Sequence, residues 1–486
     1  MKPNKLHTVT SSLATLLATG FLLAAAGTAQ AAATIVIQNL NAAGEGFNDA
    51  TPAVPVGGNA GVTLGQQRLI AFQSAANTWG ATLTSNQTIV IRASFVPLTC
   101  TAASAVLGSA GAYNIWRDFP GAAFANTWYP QALANKISGS NLSAGDPVDG
   151  QDIIARFNSR LGLFADCLPG SPFYLGLDNN HGALIDLVSV LLHEFGHGLG
   201  FQTFTSGLNG AQFDGRPSVW DGFMIDGTTN KLWVNMTDAE RTTSALNSRR
   251  LAWNGANVSN AAASVLSLGV PRLGITGPNA GAAVGTYEVG AASFGPQLST
   301  TAVVGQIMPV VDQANGTGLA CNPFSAANAL AVNGRIAMVD RGTCAFAVKV
   351  KNAQNAGAVG VVVADNTAGG PPAGLGGADA TIVIPAVRIT LGDANILKAR
   401  LKTRSRTASG VVADLSVDGS RLAGTDGFGR VLLYTPNPYQ SGSSVSHWDT
   451  IAFPNLLMEP AINGDLLHSV VPPADLTFKL LQDIGW

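Results

Sequence analysis

Residues 187–201 read Leu187-Val188-Ser189-Val190-Leu191-Leu192-His193-Glu194-Phe195-Gly196-His197-Gly198-Leu199-Gly200-Phe201. The apolar run begins upstream at Ala183, so 183–199 is expected to form one helix, greasy nearly all round and buried in a core. Asp186, Ser189, His193 and His197 follow one another at steps of three, four and four, which draws a single polar stripe down that cylinder. Two imidazoles at i and i+4 stand one above the other, and both can reach one ion at the ~2.0–2.1 Å of a zinc–nitrogen bond. Glu194 flanks the same face, placed to take a proton from a water on that ion without being a ligand. Buried His and Glu must be paired or ligated, so the pattern points to metal-assisted hydrolysis. Gly200 supplies the positive φ for a sharp exit from the helix.

The chain around this stretch has 486 residues, 47% of them hydrophobic and 12% charged. That length suggests two or three domains, and the apolar content excludes global disorder. With 27 Lys+Arg against 29 Asp+Glu there is no basic surface for a nucleic-acid backbone. Lys2 and Lys5 precede the apolar residues 13–26, and Ala29-Gln30-Ala31 puts small residues where a signal peptidase reads. Residues 1–31 are therefore expected to be a signal peptide. The mature protein is then expected to be secreted, without a transmembrane anchor, because no other run approaches the ~20 apolar residues of a spanning helix. The cysteines number four, which suits an oxidising compartment. Cys100 is expected to pair with Cys167, and Cys321 with Cys344, each within one domain. Nothing in the sequence supports a structural Ca2+.

Strands are expected at 34–38, 87–95, 152–158 and 173–177, and a helix capped by Thr63 at about 64–80. From about 274 to 417 the texture changes to alternating β and α segments, with strands at 334–339, 358–365, 381–389 and 410–417 and helices at 346–356 and 392–401. Within it Val339-Asp340-Arg341-Gly342-Thr343-Cys344-Ala345-Phe346, followed by Lys349, Asn352 and Ala353, resembles the protease-associated (PA) domain. The resemblance implies a non-catalytic module that binds substrate or regulates access. Residues 475–486 read as a short closing helix.

Two imidazoles leave a catalytic zinc one ligand short. In the pattern H-E-x-x-H-x-x-G-x-x-H the third ligand would fall at Thr203, whose hydroxyl is a poor one. The other candidates are His181, His447, His468, Asp221, Asp449 and Glu240, the last reading equally as the capping-box partner of Thr237. Ser446-His447-Trp448-Asp449 and Leu456-Leu457-Met458-Glu459-Pro460, taken with the helix motif and the long insertion, resemble leishmanolysin-type metallopeptidases, a metzincin-type family. That resemblance implies His447 as third zinc ligand and Met458 as the Met-turn residue beneath the metal. Asp449 is read as orienting a ligand imidazole through its other ring nitrogen. Tyr434 and Tyr439 are the candidates for assisting an oxyanion.

The expectation is an α+β chain. A metzincin-like zinc protease domain, with an upper α/β subdomain and an irregular lower one, is split into 32–272 and 418–486 by a PA-like α/β domain at 273–417. Its activity would be that of a secreted zinc metalloendopeptidase holding one Zn2+ and acting on proteins or peptides. The competing expectation is a non-catalytic extracellular binding protein in which the PA-like domain recognises a partner and zinc only holds the fold.

Overall fold

The computed structural model describes residues 32–486 apart from Ala103, Val148, Asp149, Ala183, Ser293, Ala373, Gly377 and Ala378. The expected signal peptide, 1–31, lies outside the described residues.

Strands Ile35–Asn39, Ile89–Val96 and Ile153–Asn158 pair in parallel, and Gly108–Ala112 joins the last of them antiparallel, at the edge of the sheet. Their Ile, Val, Ala and Phe side chains bury one face against helices Leu64–Thr82 and Leu187–Leu199. Thr63 caps the first helix by accepting the Gln66 N–H. Trp79 of that helix donates its indole N–H to the Leu192 carbonyl at 3.1 Å, tying the two helices together. Every residue of Leu187–Leu199 is buried, as its all-round apolar surface requires.

This central helix starts later than the apolar run suggests. Ile185–Asp186 pairs in parallel with Phe173–Tyr174, and the Asp186 carboxylate accepts the Ser189 N–H at 2.7 Å as an N-cap. A short acidic side chain beside orphan helix N–H groups gains more as a cap than inside the helix. The polar stripe therefore shortens to Ser189, His193 and His197. The strands expected at 173–177 and 381–389 shrink to Phe173–Tyr174 and Ala386–Ile389. Pro385, which has no N–H for a ladder, stands just before the second of these.

Residues 268–422 build an eight-stranded mixed sheet with helices Ala326–Val332, Phe346–Asn355 and Leu391–Leu401. Its middle strands, Val303–Pro309, Ile336–Asp340, Gly360–Ala364 and Ala386–Ile389, run parallel, and the last three are buried throughout, as continuous apolar runs covered on both faces should be. Two hydrophobic clusters belong to this unit, whereas the largest core joins residues between 33 and 266 to residues between 431 and 484. The incoming strand Leu268–Thr276 lies antiparallel to the outgoing strand Val412–Leu422, with Leu268 opposite Leu422. Both strands thus run past the expected limits of 273 and 417, and the chain leaves and returns at neighbouring points. One disulfide, Cys100–Cys167, lies in the first unit, and the other, Cys321–Cys344, in the inserted sheet. The closing helix Thr477–Ile484 ends beside the central one, where Trp486 donates its indole N–H to the Leu199 carbonyl at 2.8 Å.

The helix comes close to the sheet at Gly198, where an added Cβ would meet Ile153 Cγ2 at 2.4 Å. Gly198→Ala is expected to overpack this contact and cost about 1–3 kcal/mol. Urea denaturation should show a lowered midpoint with an unaltered slope, and an unchanged midpoint would contradict the contact.

Candidate metal centre

His193 and His197 project from one face of the central helix, and the loop after Ser446 brings His447 to them. The three Nε2 atoms lie 3.1 Å (His193–His197), 3.2 Å (His197–His447) and 3.3 Å (His193–His447) apart. Each ring is fixed from behind by a main-chain carbonyl: His193 Nδ1 lies 2.7 Å from Leu457 O, His197 Nδ1 2.7 Å from Phe201 O and His447 Nδ1 2.8 Å from Ser443 O. A carbonyl oxygen only accepts, so each Nδ1 carries the proton and each neutral ring presents a bare Nε2. Three lone pairs then converge with no hydrogen between them, so the short Nε2 separations are not hydrogen bonds. Burial keeps the rings neutral, lowering His193 to about 4, His197 to about 3 and His447 well below its ordinary value.

Such a triangle suits a cation. Ligands ~2.0–2.1 Å from a tetrahedral zinc lie ~3.3–3.4 Å apart, close to the observed separations. Among the described residues, these three histidines are the group of potential ligands brought close enough to hold one ion.

Local sequence explains how each carbonyl arrives. Gly200, at φ 130°, turns the chain so that the Phe201 N–H bonds Gly196 O at 3.0 Å and the Phe201 carbonyl folds back onto His197. The Met458 carbonyl accepts the Trp448 N–H at 2.8 Å, joining the two tail segments. Met458 is fully buried against the helix, and a Cβ on Gly196 would lie 3.0 Å from its Sδ. Gly196 therefore keeps room for the thioether between the two helix histidines.

The other candidate ligands are engaged elsewhere. Glu240 closes a capping box with Thr237 and pairs with Lys231. Asp221 accepts from Thr203, Thr205 and Ser218, while the Thr203 N–H reaches Ser446 Oγ at 3.3 Å, so Thr203 steadies the loop entering His447. His468 Nε2 lies 2.8 Å from Asp186 Oδ1, and His181 Nδ1 2.8 Å from the Leu184 carbonyl. Asp449 does not orient an imidazole. All three Nδ1 atoms are already taken by carbonyls, and its carboxylate instead accepts the Ile451 N–H at 3.2 Å. Burial raises the Asp449 carboxyl to about 6, with the Arg249 charge opposing.

Glu194 shares an open cleft of about 960 Å³ with the three imidazoles. Burial lifts its carboxyl to about 8, with the Ala110 backbone N–H pulling the other way. Gly108 on the edge strand is a close-approach glycine, since a Cβ there would stand 3.0 Å from Glu194 Cγ. Residues 105–110 form one wall of the cleft and 460–464 another. Tyr439 lines the cleft, while Tyr434 donates its hydroxyl to Gln440 at 3.2 Å. Main-chain carbonyls and edge-strand backbone carry no residue-type signature, so nothing in the sequence points to their part in the site.

The family model for the PA domain matches residues 304–397. The chain contains a PA domain. Its parallel strands and helices lie within the inserted sheet described above. No curated protein matches the chain. Among solved structures it is similar to an aminopeptidase from Aneurinibacillus sp. strain AM-1, at 22% identity over 41% of this chain and 42% of that one, with a TM-score of 0.22. A zinc aminopeptidase from Bacillus subtilis gives 19%, 40% of each chain and 0.22. A psychrophilic subtilisin-like protease from an Antarctic Pseudoalteromonas gives 19%, 32% of this chain, 34% of that one and 0.22. The chain thus spans well under half the length of each, and scores this low carry no argument about its chemistry. Among the described residues no helix is long and apolar enough to cross a membrane.

The turn under the histidines contains Glu459, 1% exposed, which accepts the Leu456 N–H at 2.8 Å and Asn463 Nδ2–H at 3.1 Å. Burial raises its carboxyl to about 8. A raised acid holds its proton in the folded state, so its contribution is full below the ordinary value of 4.5 and drains away as pH climbs to about 8. Urea unfolding at pH 5 and pH 9 should show the wild type losing stability relative to Glu459→Gln at the higher pH. Parallel pH profiles for the two proteins would refute this.

Proposed function

We propose that the chain is a secreted zinc endopeptidase of the leishmanolysin-like, metzincin type, interrupted by its PA domain. The observation that carries this reading is the convergence of three bare Nε2 atoms beside Glu194 in an open cleft. Structural zinc sites are closed by four protein ligands, whereas catalytic ones keep three and an open position. His193, His197 and His447 would hold the ion. Zinc bound there supplies Lewis-acid polarisation of a carbonyl oxygen and a water acidified toward neutrality. Glu194 would take the proton from the attacking water and return it to the departing amine, its carboxyl standing in the same cleft as the three imidazoles.

The edge strand Gly108–Ala112 has the Ile153–Asn158 strand on one side and residues 105–110 facing the cleft on the other. An extended peptide laid along it would gain main-chain hydrogen bonds, which favours unfolded segments of protein substrates. Met458, packed on Gly196, takes the Met-turn role. The segments before and after the inserted sheet, 32–267 and 423–486, make up the catalytic unit, and the insert between them binds substrate or regulates access. Two disulfides suit an oxidising, extracellular setting.

Glu194→Gln should retain one equivalent of zinc while cleavage of casein falls at least about 10²–10⁴-fold. Wild-type digestion by that variant would sink the mechanism. His447→Ala should lose zinc on dialysis and activity with it. Full zinc occupancy in that variant would remove His447 from the ligand set.

A further inference from the structure

The closing segment carries a carboxylate that the proposed chemistry does not use. Asp475 is 2% exposed. Its Oδ2 accepts the Leu457 N–H at 2.7 Å and its Oδ1 accepts the Thr477 N–H at 2.6 Å, with the Leu476 backbone N–H also directed to it. Among the described residues it makes no ion pair. A buried carboxylate without a cation is costly, and here the Leu457 and Thr477 N–H donors offset that cost.

What those donors belong to gives the group its meaning. Leu457 is the residue whose carbonyl holds His193 Nδ1 at 2.7 Å, and the next residue, Met458, puts its sulfur against Gly196. Thr477 presses on the same helix turn, its Cγ2 lying 3.6 Å from where a Gly196 Cβ would stand. Both oxygens of Asp475 therefore grip segments that bear on the one turn carrying His193 and His197. Glu459 differs although it is equally buried, because its partners, Leu456 and Asn463, are not the groups that touch a histidine.

We infer that Asp475 is a positioning residue for the metal centre: it bolts the Leu457–Met458 turn to the closing helix and so fixes the carbonyl that sets the tautomer and tilt of His193. This rests on the reading of the three imidazoles as a zinc site. An acceptor-only group is needed because both of its main partners are N–H donors. An amide would turn its own N–H toward one of them. Serine would keep the local acceptor for the Thr477 N–H, two residues on, but fall short of Leu457, so the bond at the start of the closing helix is retained.

The test uses the full chain as wild type, Asp475→Asn and Asp475→Ser. Zinc affinity is measured by competition with a chromophoric chelator, the ligand field by the visible absorption of the Co2+ form, and the fold by far-UV circular dichroism of the metal-stripped proteins. The variants should fold without metal, bind zinc about 10–100-fold more weakly and show an altered Co2+ spectrum. If the asparagine variant does not fold, the serine variant carries the test through its retained bond to the Thr477 N–H. Zinc affinity within twofold of wild type and an unchanged Co2+ spectrum, with only stability lowered, would overturn the inference and leave the zinc reading standing. A wild type that binds no zinc would instead overturn the zinc reading itself.

Discussion

A main-chain carbonyl can accept a proton but never give one, and three such oxygens govern this molecule. Placed behind His193, His197 and His447, they oblige each ring to carry its hydrogen on Nδ1 and to turn a lone pair inward. Much of the surrounding architecture serves to deliver those oxygens. Gly200 reverses the chain so that Phe201 faces back toward the helix, the turn ending in Met458 presents Leu457, and the loop before His447 supplies Ser443. Carboxylates would have brought charge as well as orientation. Neutral carbonyls orient the rings without adding anions to a buried site that already contains Glu194.

Burial is the second constraint. The central helix is enclosed on all sides, so its histidines and glutamate lie where ionisation is penalised. Apolar packing provides the rigidity: Phe201, Trp220, Trp253 and Trp448 interlock beside the histidines, with neighbouring ring centroids 4.6–5.2 Å apart. The polar residues near the centre, Asp221, Glu459 and Asp475, each answer a specific set of N–H or O–H donors. Polar groups at that depth are tolerable only on those terms.

Local features of the site could be read from the sequence, and features depending on distant partners could not. The i, i+4 spacing of His193 and His197 is a property of any helix, and Thr63 and Thr237 cap the turns that follow them. Asp186 was harder to place, because its role as a cap depends on a two-residue strand pairing with Phe173–Tyr174. Asp449 looked suited to orienting an imidazole beside His447, yet a carbonyl four residues before that histidine occupies the position, and main chain is silent in a residue code. No spacing argument could bring His447 to the helix. Only the resemblance of its neighbouring residues suggested it, since the juxtaposition depends on an intervening sheet whose first and last strands lie side by side.

That side-by-side arrangement bears on the order of events as the chain is made. His197 and His447 are separated by 250 positions, and the whole inserted sheet lies between them. A polypeptide growing from its N-terminus would carry a two-imidazole half-site until the segment beyond the inserted sheet emerged. The pairing of Leu268 with Leu422 would then swing that tail into place. Completion of the centre thereby waits on the whole inserted sheet, and a chain halted within that sheet would hold two of the three imidazoles.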